Sequence, residues 1–155
     1  MHIRDSIVRL ITTFFYLGYL PFIPGTFGSI AGLCIFFFVK DDIFVYTVVT
    51  LGLTILGFLL SGRAEEIFKK KDHRSIIIDE VCGILLSLGF LRYDLKFVII
   101  GFFIFRLLDT VKPYPADKLQ DLKGGSGVMS DDIVAGLYTN LILQAVARLT
   151  SFRIS

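Results

Sequence analysis

The sequence predicts an all-α fold, membrane-embedded or membrane-associated, assembled from antiparallel helical hairpins. Three observations carry this. Hydrophobic residues make up 54% of the 155-residue chain, charged residues 19%, and the mean hydropathy is +0.73, whereas soluble domains carry about 25% charged residues. The longest uncharged run, "IFVYTVVTLGLTILGFLL" from Ile43 to Leu60, is about as long as a helix needs to be to cross a bilayer. The polar breaks are short: "KDD" separates Val39 from Ile43, and "RYDLK" separates Leu91 from Phe97. Breaks of this length join antiparallel neighbours.

The elements follow in order. The first stretch, "MHIRDSIVRLITTFFYLGYL", carries two arginines and an apolar face, and Pro21 and Pro24 follow it rather than a small-residue cleavage site. It reads as an interfacial or short membrane helix that stays attached, not as a cleaved signal. The run Gly28 to Val39 pairs with Ile43 to Leu60, and Val81 to Leu91 pairs with Phe97 to Phe105. A last run covers Ile133 to Ala147. Each shorter run would also suit the core of a soluble bundle, because an 11-residue helix is only about 16 Å long. The length of the chain predicts one domain over residues 1–155.

The hairpins return their polar segments to one side. "IPGT" and Gly62 come together from the first, and Asp79, Glu80 and "FRLLD" (Phe105 to Asp109) from the second. "RAEEIFKKKDHR" joins the hairpins on that face, and "KPYPADKLQDLKGGSGVMSDD" leads from it into the last helix. Eleven of the sixteen cations fall there: Arg4, Arg9, Arg63, Lys69, Lys70, Lys71, Arg74, Arg106, Lys112, Lys118 and Lys123. Lys40, Arg92, Lys96, Arg148 and Arg153 fall on the other. The positive-inside rule then places the polar face in the cytoplasm.

Composition excludes several function classes. A net charge of +2 gives no basic field for nucleic acid. Two histidines, His2 and His73, cannot build a histidine-rich metal site. Cys34 and Cys82 sit in apolar runs without metal-type spacing, and read as buried structural thiols.

Four pieces carry candidate chemistry. In "FRLLDTVKPYP", Arg106 and Asp109 share a helix face, and Pro113 and Pro115 end that helix with Lys112 at its mouth. On a surface helix this would be an ordinary ion pair. Directly after "FVIIGFFIF" it sits at or below the interface, where ionisable groups are costly and point to function. In "IIIDEVCGILL", Asp79 and Glu80 interrupt an apolar stretch; they suit either a site or the first turn of a helix, where the dipole favours acids. In "GGSGVMSDDIVAG", the glycines offer a loop with free N–H groups, and Ser130 reads as the N-cap of a helix with Asp131 and Asp132 in its first turn. In "FIPGTFGS", Thr26 or Ser29 could cap a helix whose N–H groups face an anion.

Together these offer Asp79, Glu80, Asp109, Asp131 and Asp132 as hard oxygen ligands, which suit Mg²⁺. Arg106 and Lys112 would neutralise phosphate charge. Thr26, Gly125 and Gly127 complete the expected phosphate cradle. The ordered set "PGT", "IDE", "FRLLDTVKPYP" and "GGSGVMSDDIVAG" resembles the phosphatidylglycerophosphatase A family, from about Pro21 to Tyr138. The resemblance implies a bundle of about six helices. It also implies Mg²⁺-dependent removal of the terminal phosphate of a phospholipid, phosphatidylglycerophosphate, at the bacterial inner membrane.

No C-x₅-R motif follows either cysteine, and no D-x-D lies near the start, so metal-assisted hydrolysis remains. The expected catalytic set is Asp79, Arg106, Asp109, Lys112 and Asp132, with one carboxylate as general base. Direct attack by Asp109 or Asp132 is the competing chemistry. A small ion-transporter subunit using the same acids, or a structural membrane adaptor, are the readings from other classes; acids at helix ends rather than mid-membrane disfavour the former.

Overall fold

The computed structural model describes residues 3–91 and 94–152, and all its regular elements are helical. They are α1 (Ile3–Thr12), α2 (Pro24–Val39), α3 (Ile43–Phe68), α4 (Ile78–Leu88), α5 (Leu95–Val111), the single turn α6 (Ala116–Leu119) and α7 (Gly125–Phe152), with a short 3-10 turn at Leu17–Tyr19. The all-α fold is as the sequence predicts, but α2 barely touches α3, its expected hairpin partner, and packs along α4 instead, because Gly28 and Gly32 let it lie directly on Ile77, Val81 and Ile84. Arg92 and Arg153, expected on the far face, lie outside the described residues.

Local chemistry sets the boundaries. α2 begins at Pro24, where the missing N–H costs nothing because the first turn has no partner for it. In "KDD", Asp42 caps α3 by accepting from the N–H groups of Phe44 and Val45 at 2.9 and 3.1 Å. Asp94 caps α5 through the Lys96 N–H at 2.8 Å. The hairpin breaks are thus helix starts in themselves.

The organising element is α4. Ile78, Val81, Cys82, Ile84, Leu85 and Leu88 point in all directions around it and every one is buried. A helix apolar on all sides must be enclosed, and α2, α3, α5 and α7 pack around it. The closest approach is to α7. A Cβ on Gly136 would lie 2.6 Å from Gly83 O, and one on Gly83 would lie 3.0 Å from Asp132 O. Bare backbone at both positions lets the two helices meet as glycine contacts do in membrane bundles.

The outer face is apolar. α3 is the one described helix long and apolar enough to cross a membrane, and only 17% of its apolar stretch is buried. Phe44, Leu51, Ile55 and Leu59 are exposed along it, as are Phe103, Leu107 and Val111 on α5. Monomeric soluble proteins rarely expose patches of this extent. Cys34, expected to be buried, is exposed on α2, because the small residues of that helix face α4 and turn Cys34 outward.

Filling the α4–α7 contact should destabilise the fold. Gly136→Val is expected to lose about 2 kcal/mol of unfolding free energy through overpacking, measured by denaturant unfolding in detergent. Gly52→Ala, whose Cβ would meet nothing within 4 Å, should instead be neutral or stabilising by up to about 1 kcal/mol.

Candidate active site

The candidate side chains converge where α2, α4 and α7 begin and α5 ends. Asp79 and Glu80 occupy the first turn of α4. Asp132 reaches them from α7 because Gly83 and Gly136 hold the two backbones together. One oxygen from each of Asp79, Glu80 and Asp132 lies within 4.8 Å of the others. Asp79 and Asp132 are 6% and 3% exposed, so little water reaches this charge.

Such crowding is electrostatically unfavourable by itself. Burial, then the neighbouring Glu80 charge, pushes Asp79 well above the usual carboxylate range. Burial, then the charges of Asp109 and Glu80, does the same to Asp132. Glu80 Oε2, Asp131 Oδ1 and Asp132 Oδ2 are buried with no hydrogen-bond partner. Unsatisfied buried acceptors in a native fold require an explanation. A hard cation supplies one for the Glu80 and Asp132 oxygens: with Asp79 they form an all-carboxylate donor set, as Mg²⁺ prefers. The residues present therefore fit a divalent ion held by Asp79, Glu80 and Asp132.

Two cations flank this trio, each held by its own carboxylate. Arg106 Nη1 donates to Asp109 Oδ2 at 2.7 Å, the pair spaced one turn apart on α5. Asp109 also lies beside Asp132. Lys112, in the left-handed region at φ 48° where α5 ends, turns its ammonium toward α7. It donates to Asp131 Oδ2 at 2.6 Å and to Gln120 Oε1 at 2.9 Å. Burial works against the Lys112 charge, but the hydrogen bond and charge of Asp131 outweigh it and raise its pKa. The five expected carboxylates thus divide into three that crowd together and two that fix cations.

The glycine-rich segment differs from expectation. α7 starts at Gly125 rather than after Ser130, so Ser130 is no N-cap and the aspartates fall in the second turn. A Cβ on Gly125 would collide with Phe58 O, and one on Gly127 with Leu122 O. The Gly127 N–H is committed to Gly124 O at 2.9 Å. These glycines admit neighbouring backbone, and a turn bond to Gly124, just before α7, occupies the Gly127 N–H. Thr26 lies in the first turn of α2 with its N–H on Ile23 O at 3.1 Å.

Two positions were missed. Gly25 of "PGT" lies at the charged cluster: a Cβ there would strike Glu80 Oε1 and lie 3.2 Å from both terminal nitrogens of Arg106. The sequence marks it as a turn glycine, and only the fold brings it to Glu80. Gln120 carries no local signal; it meets Lys112 because α6 folds the chain back after the prolines.

The family model of phosphatidylglycerophosphatase A matches residues 10–147. The chain belongs to the phosphatidylglycerophosphatase A family. A phosphatidylglycerophosphatase A of Escherichia coli is 37% identical over 140 residues, covering 87% of this chain and 80% of that protein. One from Haemophilus influenzae is 27% identical over 143 residues, covering 90% and 88%. A Bacteroides thetaiotaomicron protein with the provisional name phosphatidylinositol-3-phosphatase is 34% identical over 148 residues, covering 90% and 92%. No solved structure matches the chain with significance. This member of the phosphatidylglycerophosphatase A family is accordingly a phosphoric monoester hydrolase.

The contact at Gly25 is testable. Gly25→Ala should lower turnover about 100-fold by displacing Glu80 and Arg106, while the thermal midpoint in detergent changes little. Steady-state phosphate release and a melting curve on the same preparation check both parts.

Proposed function

We propose that this enzyme hydrolyses the terminal phosphomonoester of phosphatidylglycerophosphate to phosphatidylglycerol, with Mg²⁺, as a step in phospholipid biosynthesis. The supporting observation is the buried trio Asp79, Glu80 and Asp132, with unpartnered Glu80 and Asp132 oxygens, between two cations each anchored by a carboxylate. Acidic ligands for a metal and fixed cations for phosphate oxygens are what phosphoryl transfer requires.

Asp79, Glu80 and Asp132 would hold the ion. When bound, it neutralises phosphoryl oxygens and makes a coordinated water more acidic. The remaining work falls to the chain's own side chains. Arg106 and Lys112 donate to the phosphoryl oxygens and stabilise the charge that spreads over them as the ester bond lengthens. Asp109, outside the trio, beside Asp132 and held by Arg106, serves as general base: it takes a proton from water as the water oxygen bonds to phosphorus. The ester oxygen leaves and takes a proton from solvent, to which Asp109 later returns its own, giving the lipid alcohol and inorganic phosphate. Asp131 and Gln120 keep the Lys112 ammonium directed into the site.

The outer surface supports a membrane setting. In this reading α3 crosses the bilayer, with the charged cluster at the cytoplasmic face of the bacterial inner membrane, because eleven of the sixteen cations fall in the segments that lead to and from that cluster.

Phosphate release from phosphatidylglycerophosphate in mixed micelles tests this, with phosphatidylinositol 3-phosphate as the competing substrate. Activity is expected with Mg²⁺, abolished by chelator and restored by adding Mg²⁺. Asp132→Asn should lower it roughly 100-fold or more. Preference for phosphatidylinositol 3-phosphate would overturn the substrate, and undiminished activity in chelator would overturn the metal.

A further inference from the structure

α2 and α5 both pack along α4 but scarcely touch each other. Their backbones stand apart along α4. Leu33 of α2 and Phe102 of α5 are half-buried over Ile84 of α4, so the furrow has an apolar floor. Its polar end stops at Gly25, Glu80 and Arg106.

The wall on the α5 side continues that pattern. Ile99, Phe102 and Phe103 precede Arg106 by seven, four and three residues and so share its helix face. Phe103 is 65% and Ile99 50% exposed, although both lead directly away from a guanidinium. At the entrance on the other side, Phe22 and Ile23 are 93% and 56% exposed just before α2 begins.

An open apolar furrow headed by a cation matches an amphiphile with an anionic head and a hydrocarbon tail. A small soluble phosphate ester would have no use for the floor. We propose that the α2–α5 furrow receives an acyl chain of the lipid phosphomonoester while Arg106 binds its head. This rests on the lipid-phosphatase reading and adds where the lipid lies: it enters sideways, between two helices. Phe103 and Ile99 are then specificity residues for chain-bearing substrate.

The test compares long-chain phosphatidylglycerophosphate in mixed micelles with its dihexanoyl counterpart, for wild type, Phe103→Asn and Ile99→Asn. The ratio of kcat/KM for long over short chains is expected to fall about tenfold in each variant. Phe38→Asn, at the far end of α2 and 90% exposed, should leave the ratio unchanged. Independently, phosphatidylglycerophosphate with a diazirine in one acyl chain should label α2 and α5 within the furrow, and excess unlabelled substrate should compete it away. An unchanged ratio, or competed label elsewhere, overturns the proposal. So does dissociation of a dimer by Phe103→Asn with the ratio intact, which would make a second copy the occupant. Wild-type protein that hydrolyses neither substrate sinks the phosphatase reading instead, and the position of the label still decides the furrow.

Discussion

The fold is arranged around the cost of placing three carboxylates together out of water. Like charges this close and this buried repel each other strongly in a low-dielectric interior. Asp79 and Glu80 persist there because α4 is enclosed and cannot turn them to solvent, and Asp132 because α7 is held against α4. Compensation must come from what the site binds and from cations at its edge. The Arg106–Asp109 and Lys112–Asp131 pairs meet the second requirement without filling the space between the acids.

Close backbone contact is what makes that clustering possible. Asp132 reaches Asp79 because Gly83 and Gly136 remove the side chains that would separate α4 from α7. Gly25 does the same for the start of α2 against Glu80 and Arg106. The prolines after Lys112 end α5 and, through α6, return Gln120 to the ammonium. Packing and charge placement are therefore one design at this end of the molecule, and along the furrow apolar packing is left incomplete.

Much of this was legible in the residues. The alternation of apolar runs with very short polar breaks marks the helices and their order, but not their partners: α2 leaves α3 after a three-residue break and packs on α4. The segments carrying Asp79, Arg106, Lys112 and Asp132 were expected on one side because short breaks reverse the chain. What local pattern could not show is which glycines serve backbone contact. Gly125 and Gly127 look like a phosphate loop, yet Phe58 O and Leu122 O occupy the space their side chains would take. The partners of Asp109 and Asp131 were open as well, since five acids near two cations can pair in several ways until the helices' rotation is set. Gln120 was invisible because its role depends on a chain reversal that no residue near it announces.

Asn140 has a consequence for how the molecule is assembled. Its side-chain amide donates to Ser87 O at 3.1 Å and Gly89 O at 2.7 Å, satisfying carbonyls where α4 ends. Those groups belong to a segment made early, and their partner to one made late. A nascent chain that has emerged only as far as α5 has neither the amide that closes one end of α4 nor the aspartate that joins its acids at the other. α4 is thus completed at both ends by a helix made well after it.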